Sequence, residues 1–206
     1  MAIFRNSGQV CVAASRLIIE ENIHDDFIKD VIKHANQLQV GNPLDLSSDV
    51  GAINSETQLK SNLKYVNIAK EEGADIITGG NQILQNTGGY YMEPTVVTNV
   101  SSNNTLFNEE VFGPVLAVSK FKTEDEAIEL ANGTEFGLSA GIWTSNLSKA
   151  HKMVSKVKAG VVNVNTYGGA DITVPLSGVK QSGNGADKSM HALDKYINLK
   201  TAWIQL

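Results

Sequence analysis

Hydrophobic and polar positions along the chain switch repeatedly between two periods, near two residues and near 3.6, as strands alternating with helices do. Residues 16–20 are rich in Leu and Ile and read as a strand. Residues 22–38 read as an amphipathic helix with Ile23, Phe27, Val31 and Ala35 on one stripe, ended by a loop at Gly41-Asn42-Pro43. Ser55 with Gln58 three residues later is a capping-box pattern and opens a helix running to about Gly73. A strand at 74–78, a turn at Gly79-Gly80, an extended β-rich stretch at 91–97 and a strand at 115–121 follow. Thr123 and Glu126 make a second capping box, for a helix to about Ala131. The pattern then predicts a short buried strand at 141–144, a helix over 147–157, a strand at 161–164, a helical turn at 189–193 and a terminal strand at 199–206. Elements alternating in this way argue an α/β fold, and no internal repeat or low-complexity segment interrupts them.

Composition narrows the picture. The 206 residues are 42% hydrophobic, enough for one sizeable domain with a core. The net charge of −5 is spread along the chain without a basic stripe, so nucleic-acid binding has no electrostatic footprint. No apolar run approaches the ~20 residues of a transmembrane helix, and the N-terminus carries no signal-peptide pattern. A single cysteine forms no internal disulfide and fits a reducing, cytoplasmic compartment. The four histidines, His24, His34, His151 and His191, make no ligand pair at helical spacing, so no metal site is expected. His24 and His34 are expected on the solvated face of their helix.

That lone cysteine, Cys11, lies in Phe4-Arg5-Asn6-Ser7-Gly8-Gln9-Val10-Cys11-Val12-Ala13-Ala14-Ser15. A sulfur nucleophile needs thiolate character, an open approach and backbone N–H groups that hold negative charge. Gly8 lets backbone come close, Asn6 and Gln9 offer amides to hold the loop, and the small residues after Cys11 allow tight packing. Taken alone the pattern is more often that of a buried, inert cysteine than of a nucleophile. Two further blocks add to it: Asn108-Glu109-Glu110-Val111-Phe112-Gly113-Pro114-Val115, and Pro175-Leu176-Ser177-Gly178-Val179-Lys180-Gln181-Ser182-Gly183.

In this order and at this spacing the three blocks resemble the aldehyde dehydrogenase superfamily, from about Ile3 to the C-terminus. The resemblance implies the family's catalytic domain, an open and mostly parallel sheet flanked by helices, over residues 1–196, with 197–206 as an oligomerisation strand. It implies NAD(P)-dependent oxidation of a small aldehyde to a carboxylic acid. Cys11 adds to the aldehyde carbon, hydride leaves to the nicotinamide of NAD, and water hydrolyses the resulting thioester. Glu110 then accepts hydrogen bonds from the ribose next to the nicotinamide, and Phe112 packs against the cofactor. Tyr167, Ala170, Asp171 and Leu176 line the aldehyde tunnel. Asp171 and the Ser182-Gly183-Asn184-Gly185 stretch resemble the branch acting on aminoaldehydes, γ-glutamylated aminobutyraldehyde included, and an acidic residue there suits an amine-bearing substrate. A carboxylate closing its own Asx turn is the plainer reading of Asp171.

The resemblance also implies a first half outside this chain, carrying the dinucleotide-binding domain, the glutamate general base and the asparagine that completes the oxyanion hole. No Gly-x-Gly-x-x-Gly follows a strand here, and the choice between NAD and NADP belongs to that half. The expected partners are further copies of the chain, as a homo-oligomer, or the complementary N-terminal half. The chain departs from the common family pattern at Leu176, Ser177, Val179, Asn163 and Ala186. Those departures support a second reading, a non-catalytic remnant or interaction module that joins a full-length relative. A hydrolase using Cys11 alone is a third, for which no His or carboxylate is placed by sequence.

Overall fold

A computed structural model describes residues 3–168 and 171–206. The chain divides into two compact units, Met1–Thr134 with Ser155–Val157, and Glu135–Val154 with Lys158–Leu206, a division that the hydrophobic pattern does not mark.

In the first unit the elements are β1 (Arg16–Glu20), α1 (Glu21–Gln37), α2 (Glu56–Glu71), β2 (Asp75–Thr78), β3 (Gln82–Ile83), β4 (Tyr91–Met92), β5 (Thr95–Thr98), α3 (Thr105–Asn108), β6 (Val115–Phe121) and α4 (Glu124–Asn132). A four-stranded sheet runs in the order β1-β6-β5-β2. β1, β6 and β5 are parallel, with Arg16 opposite Ala117 and Thr95 opposite Val115, and β2 closes the edge antiparallel. A parallel strand covered on both faces reads as an unbroken apolar run. That is the reason β5 (Thr-Val-Val-Thr) and most of β6 (Val-Leu-Ala-Val-Ser) are buried throughout.

Alternate residues of those strands feed two cores, as the strand period requires. Val97, Val115 and Ala117 join Leu59, Val66 and Ala69 of α2 and Phe107 of α3 on one face. Val96, Leu116 and Val118 join Ile28 and Ala35 of α1 on the other. α1 is turned one residue from the expected stripe: His24, Ile28 and Ala35 are buried, while Ile23 and Phe27 are exposed. The positions that meet the sheet, 24, 28, 31 and 35, keep helical spacing and include His24. His24 is therefore 7% exposed, not solvated, and its Nδ1 lies 2.7 Å from Asp25 Oδ1. The extended stretch expected at 91–97 is broken at Pro94 into β4 and β5.

Arg16 ties β1 to the end of α4. Its guanidinium donates to the carbonyls of Leu130 and Ala131, both at 3.1 Å, and sits 4.7 Å over the Phe107 ring. Burial lowers its pKa, and the carbonyl end of a helix is where a cation is favoured.

The second unit holds β7 (Phe136–Gly137), β8 (Ser139–Ile142), most of α5 (Leu147–Lys156), β9 (Val161–Val164), β10 (Leu176–Ser177), β11 (Val179–Lys180) and β12 (Ala186–Asp187), with a 3-10 turn at Met190–Lys195. β8 and β9 pair in parallel, while β10 with β12 and β11 with β7 form short antiparallel pairs. The strand expected at 141–144 begins earlier, at Ser139. Residues 199–206 pair with no described strand and are exposed, Trp203 at 92%. A strand forms only against a sheet edge, and none of the described strands supplies one to this segment. No described helix is long and apolar enough to cross a membrane, and no cluster of three or more potential metal ligands occurs among the described residues.

Replacing Arg16 with Met keeps the volume and removes two charge-assisted hydrogen bonds. The variant is expected to lose about 1.5–3 kcal/mol, read as a lower urea midpoint at unchanged slope.

Candidate active site

The cysteine loop precedes β1, and the Glu109–Pro114 segment precedes β6. Because β1 and β6 are parallel neighbours, both segments enter the sheet from the same end. The Ala117 amide donates to the Ser15 carbonyl at 2.9 Å, and the Thr95 amide to the Pro114 carbonyl at 2.8 Å. Two sequence blocks about a hundred residues apart are thereby brought into contact.

The contact is made by backbone. Asn6, Ser7 and Gly8 all have left-handed conformations, with φ of 51°, 55° and 73°. A Cβ on Gly8 would lie 2.0 Å from the Gly113 carbonyl oxygen, so only glycine fits. The strained turn is held on three sides. Asn6 Nδ2 donates to the Gln9 carbonyl at 2.9 Å. The Ser7 hydroxyl, 2% exposed, donates to the Gly51 carbonyl at 2.8 Å. Gln9 Oε1 accepts from the Asn54 amide at 3.0 Å. Beyond this turn Cys11 is exposed.

The second segment is anchored along α2. Glu72, just past its C-terminal end, accepts from the Thr105 hydroxyl at 2.6 Å, the Thr105 amide at 2.8 Å and Asn104 Nδ2 at 3.2 Å. The Thr105 bonds hold its carboxyl below the usual range. The Tyr65 hydroxyl donates to Glu109 Oε2 at 2.7 Å. Gln58 Nε2 reaches the carbonyls of Val111 at 2.9 Å and Phe112 at 3.2 Å. Sequence reading assigns Gln58 to a capping box. Only half of that box forms: the Gln58 amide donates to the Ser55 hydroxyl at 3.2 Å, while the side chain turns to the loop. Val111 points into the core, 6% exposed, and Phe112 takes φ of 53° and presents its ring outward. Glu110, between these anchors, is exposed, and its carboxylate accepts no hydrogen bond from the described residues.

Tyr167, Asp171 and Leu176 belong to the second unit, and Ala170 lies outside the described residues. Tyr167 stacks on Trp143, with ring centroids 6.3 Å apart and planes at 19°. A Cβ on Gly141 would lie 2.6 Å from each of those rings. Burial pushes the Tyr167 phenol up, and a hydrogen bond with the Ser139 side chain opposes it. Asp171 Oδ1 accepts from the Thr173 amide and hydroxyl, each at 2.8 Å, an Asx turn. Those two bonds, with Lys188 nearby, hold its carboxyl low. Leu176 pairs with Asp187 in β10–β12. Asn163 offers its side-chain amide to the Ala140 carbonyl at a long 3.5 Å.

Gln58 and Tyr65 are the residues of this site that sequence reading misses. The available signal is a polar series at 58, 62 and 65 on the face of α2 that otherwise packs into the core, continued by Glu72 just past its end.

Comparison with known proteins follows the same outline. The model of the aldehyde dehydrogenase family matches residues 1–202. The NADP/NAD-dependent aldehyde dehydrogenase PuuC of Escherichia coli K12 is 43% identical over 204 residues, 99% of this chain and 40% of the relative. An indole-3-acetaldehyde dehydrogenase, AldA of P. syringae, solved with NAD+ and IAA, superposes with TM-score 0.96 at 48% identity, covering 100% of this chain and 41% of that one. The aldehyde dehydrogenase KauB of Pseudomonas aeruginosa superposes with TM-score 0.96 at 47% identity over the same shares. The chain thus spans about two fifths of the length of these relatives.

Two outcomes follow from the geometry. Gly8→Ala forces a methyl into the Gly113 carbonyl and a left-handed φ onto alanine. It is expected to cost more than the ~1–2 kcal/mol of the backbone term alone and to change the rate at which a disulfide reagent modifies Cys11. For Glu72 the folded pKa is depressed, so its contribution is full above the unfolded value near ~4.3 and is lost as pH falls through the folded value. Glu72→Gln is accordingly expected to be less stable than the unsubstituted chain at neutral pH, with the two urea midpoints converging in acid.

Proposed function

Since the chain belongs to the aldehyde dehydrogenase family, we propose that it is the catalytic-domain part of an NAD(P)-dependent enzyme that oxidises an aldehyde to a carboxylic acid. The observation that carries this reading is the backbone contact of Gly8 with Gly113, which joins the exposed Cys11 to the segment bearing Glu110 and Phe112.

Cys11 is the nucleophile. As thiolate it adds to the aldehyde carbon, forming the C–S bond while the carbonyl π pair moves to oxygen. The Cys11 backbone N–H is offered as one oxyanion donor. When bound, NAD supplies the hydride acceptor. The thioester left on Cys11 is opened by water, which releases the acid and returns the thiol. Glu110 fits the ribose diol because a carboxylate only accepts and this one is exposed with no described donor. Phe112, held outward by its left-handed backbone, fits a flat ring face. The relatives' own descriptions name NADP/NAD for the E. coli protein and NAD+ for that of P. syringae.

In the same reading Tyr167, Ala170, Asp171 and Leu176 line the aldehyde's path, and residues 197–206 pair with a strand of another subunit or of the complementary half. Asp171 favours an amine-bearing aldehyde by charge. The Trp143–Tyr167 stack favours an aromatic one, as in the named substrate of the P. syringae relative.

The test is nicotinamide reduction by the chain assembled with a complementary N-terminal half from a full-length relative. Turnover is expected, with Cys11→Ser at least about 10³-fold slower. An aminoaldehyde is expected to exceed indole-3-acetaldehyde in kcat/KM, and the reverse order would move the substrate reading to the aromatic stack. A folded, assembled pair without turnover would overturn the enzymatic reading in favour of an interaction module.

A further inference from the structure

Two adjacent glutamates occupy the cofactor segment, and the structure treats them differently. Glu109 is tied to Tyr65, whose hydroxyl donates to its Oε2 at 2.7 Å. Glu110 is free of described donors. On the other side of Glu110 the carbonyls of Val111 and Phe112 are held by Gln58, at 2.9 and 3.2 Å. Gln58 and Tyr65 are seven residues apart on α2, two helical turns, and so share one face. Tyr65 is half-buried and packs against the core that contains Leu59, Val66 and Phe107. Glu110 is therefore bracketed: its neighbours on both sides are bound to one helix, and of the two glutamates it alone is untied.

We infer that Tyr65 is a positioning residue, which holds Glu109 aside and, with Gln58, fixes the one carboxylate offered to the cofactor. The inference rests on the cofactor role proposed above for Glu110. Cutting the Tyr65–Glu109 hydrogen bond from either partner frees the residue that precedes Glu110 and loosens the backbone that aims its carboxylate. The hydrogen bond needs only an acceptor at position 109. Glutamine supplies one and alanine does not.

The test uses four variants, Tyr65→Phe, Glu109→Ala, Glu109→Gln and the double variant Tyr65→Phe with Glu109→Ala. In the assembled pair, Tyr65→Phe and Glu109→Ala are each expected to raise the KM for NAD about threefold to tenfold with kcat little changed. The double variant is expected to match either single one, and Glu109→Gln to keep the unsubstituted KM. Hydrogen exchange on the 206-residue chain alone needs no turnover. There the amides of 109–113 are expected to exchange faster in Tyr65→Phe and Glu109→Ala and at the original rate in Glu109→Gln. Unchanged exchange in Tyr65→Phe, additive KM effects in the double variant, or failure of Glu109→Gln to preserve either readout would each overturn the inference. The expected exchange pattern in the variants, together with an unsubstituted pair that reduces no NAD, would instead refute the cofactor role proposed for Glu110 and leave the bracket standing.

Discussion

The site rests on one close approach, the backbone of Gly8 against the carbonyl of Gly113, with no space for a methyl group between them. A contact of that kind has almost no tolerance, because both partners are main chain and neither can swing away as a side chain would. It requires the left-handed run at Asn6, Ser7 and Gly8, and each of those residues contributes to holding it. Asn6 closes the turn, Ser7 fastens it to the segment at Gly51, and Gly8 makes the approach. Strain kept in place by this many independent bonds is what a site whose thiol must stand at one position needs.

The sheet makes the approach possible. Two parallel neighbours with matched register deliver their entering loops side by side, and here those loops are the two that carry Cys11 and Glu110. In open α/β sheets ligands most often sit beyond the carboxyl ends of the strands. In this unit the cysteine loop and the Glu110 segment enter at the amino ends, so the site proposed here lies at the opposite edge from the one that rule gives. α2 then acts as a ruler along the second loop, fixing it from Glu72 at one end to Gln58 at the other.

How much of this was legible in the sequence depends on whether the determinant is local. β1 and β6 could be read because their apolar runs are short and bounded, and the helix starts at Ser55 and Thr123 because a hydroxyl accepting the amide three residues on is a local bond. The buried face of α1 could not. Ile23 and Phe27 look like a core stripe, and only the sheet beneath decides that His24 and Ile28 face inward instead. Gln58 is half legible for a related reason. Its amide meets the Ser55 cap as the local pattern predicts, while its side chain goes to two loop carbonyls that only the tertiary fold brings near. Cys11, Glu110 and Phe112 are recognisable as a set through family resemblance, whereas the approach of their two segments at Gly8 and Gly113 depends on strand order, which no local pattern encodes.

The exposure of the aromatic side chains has an optical consequence. The chain has two tryptophans, and Trp143 is 64% and Trp203 92% exposed. Neither indole belongs to a core, so intrinsic emission of the folded chain is that of indole in water, and unfolding changes its colour little. If residues 199–206 pair with a strand of another subunit, as proposed, Trp203 leaves water and the emission shifts to the blue. Fluorescence would then report assembly, while the melting of the two cores around the sheet is better followed by the far-ultraviolet signal of its helices.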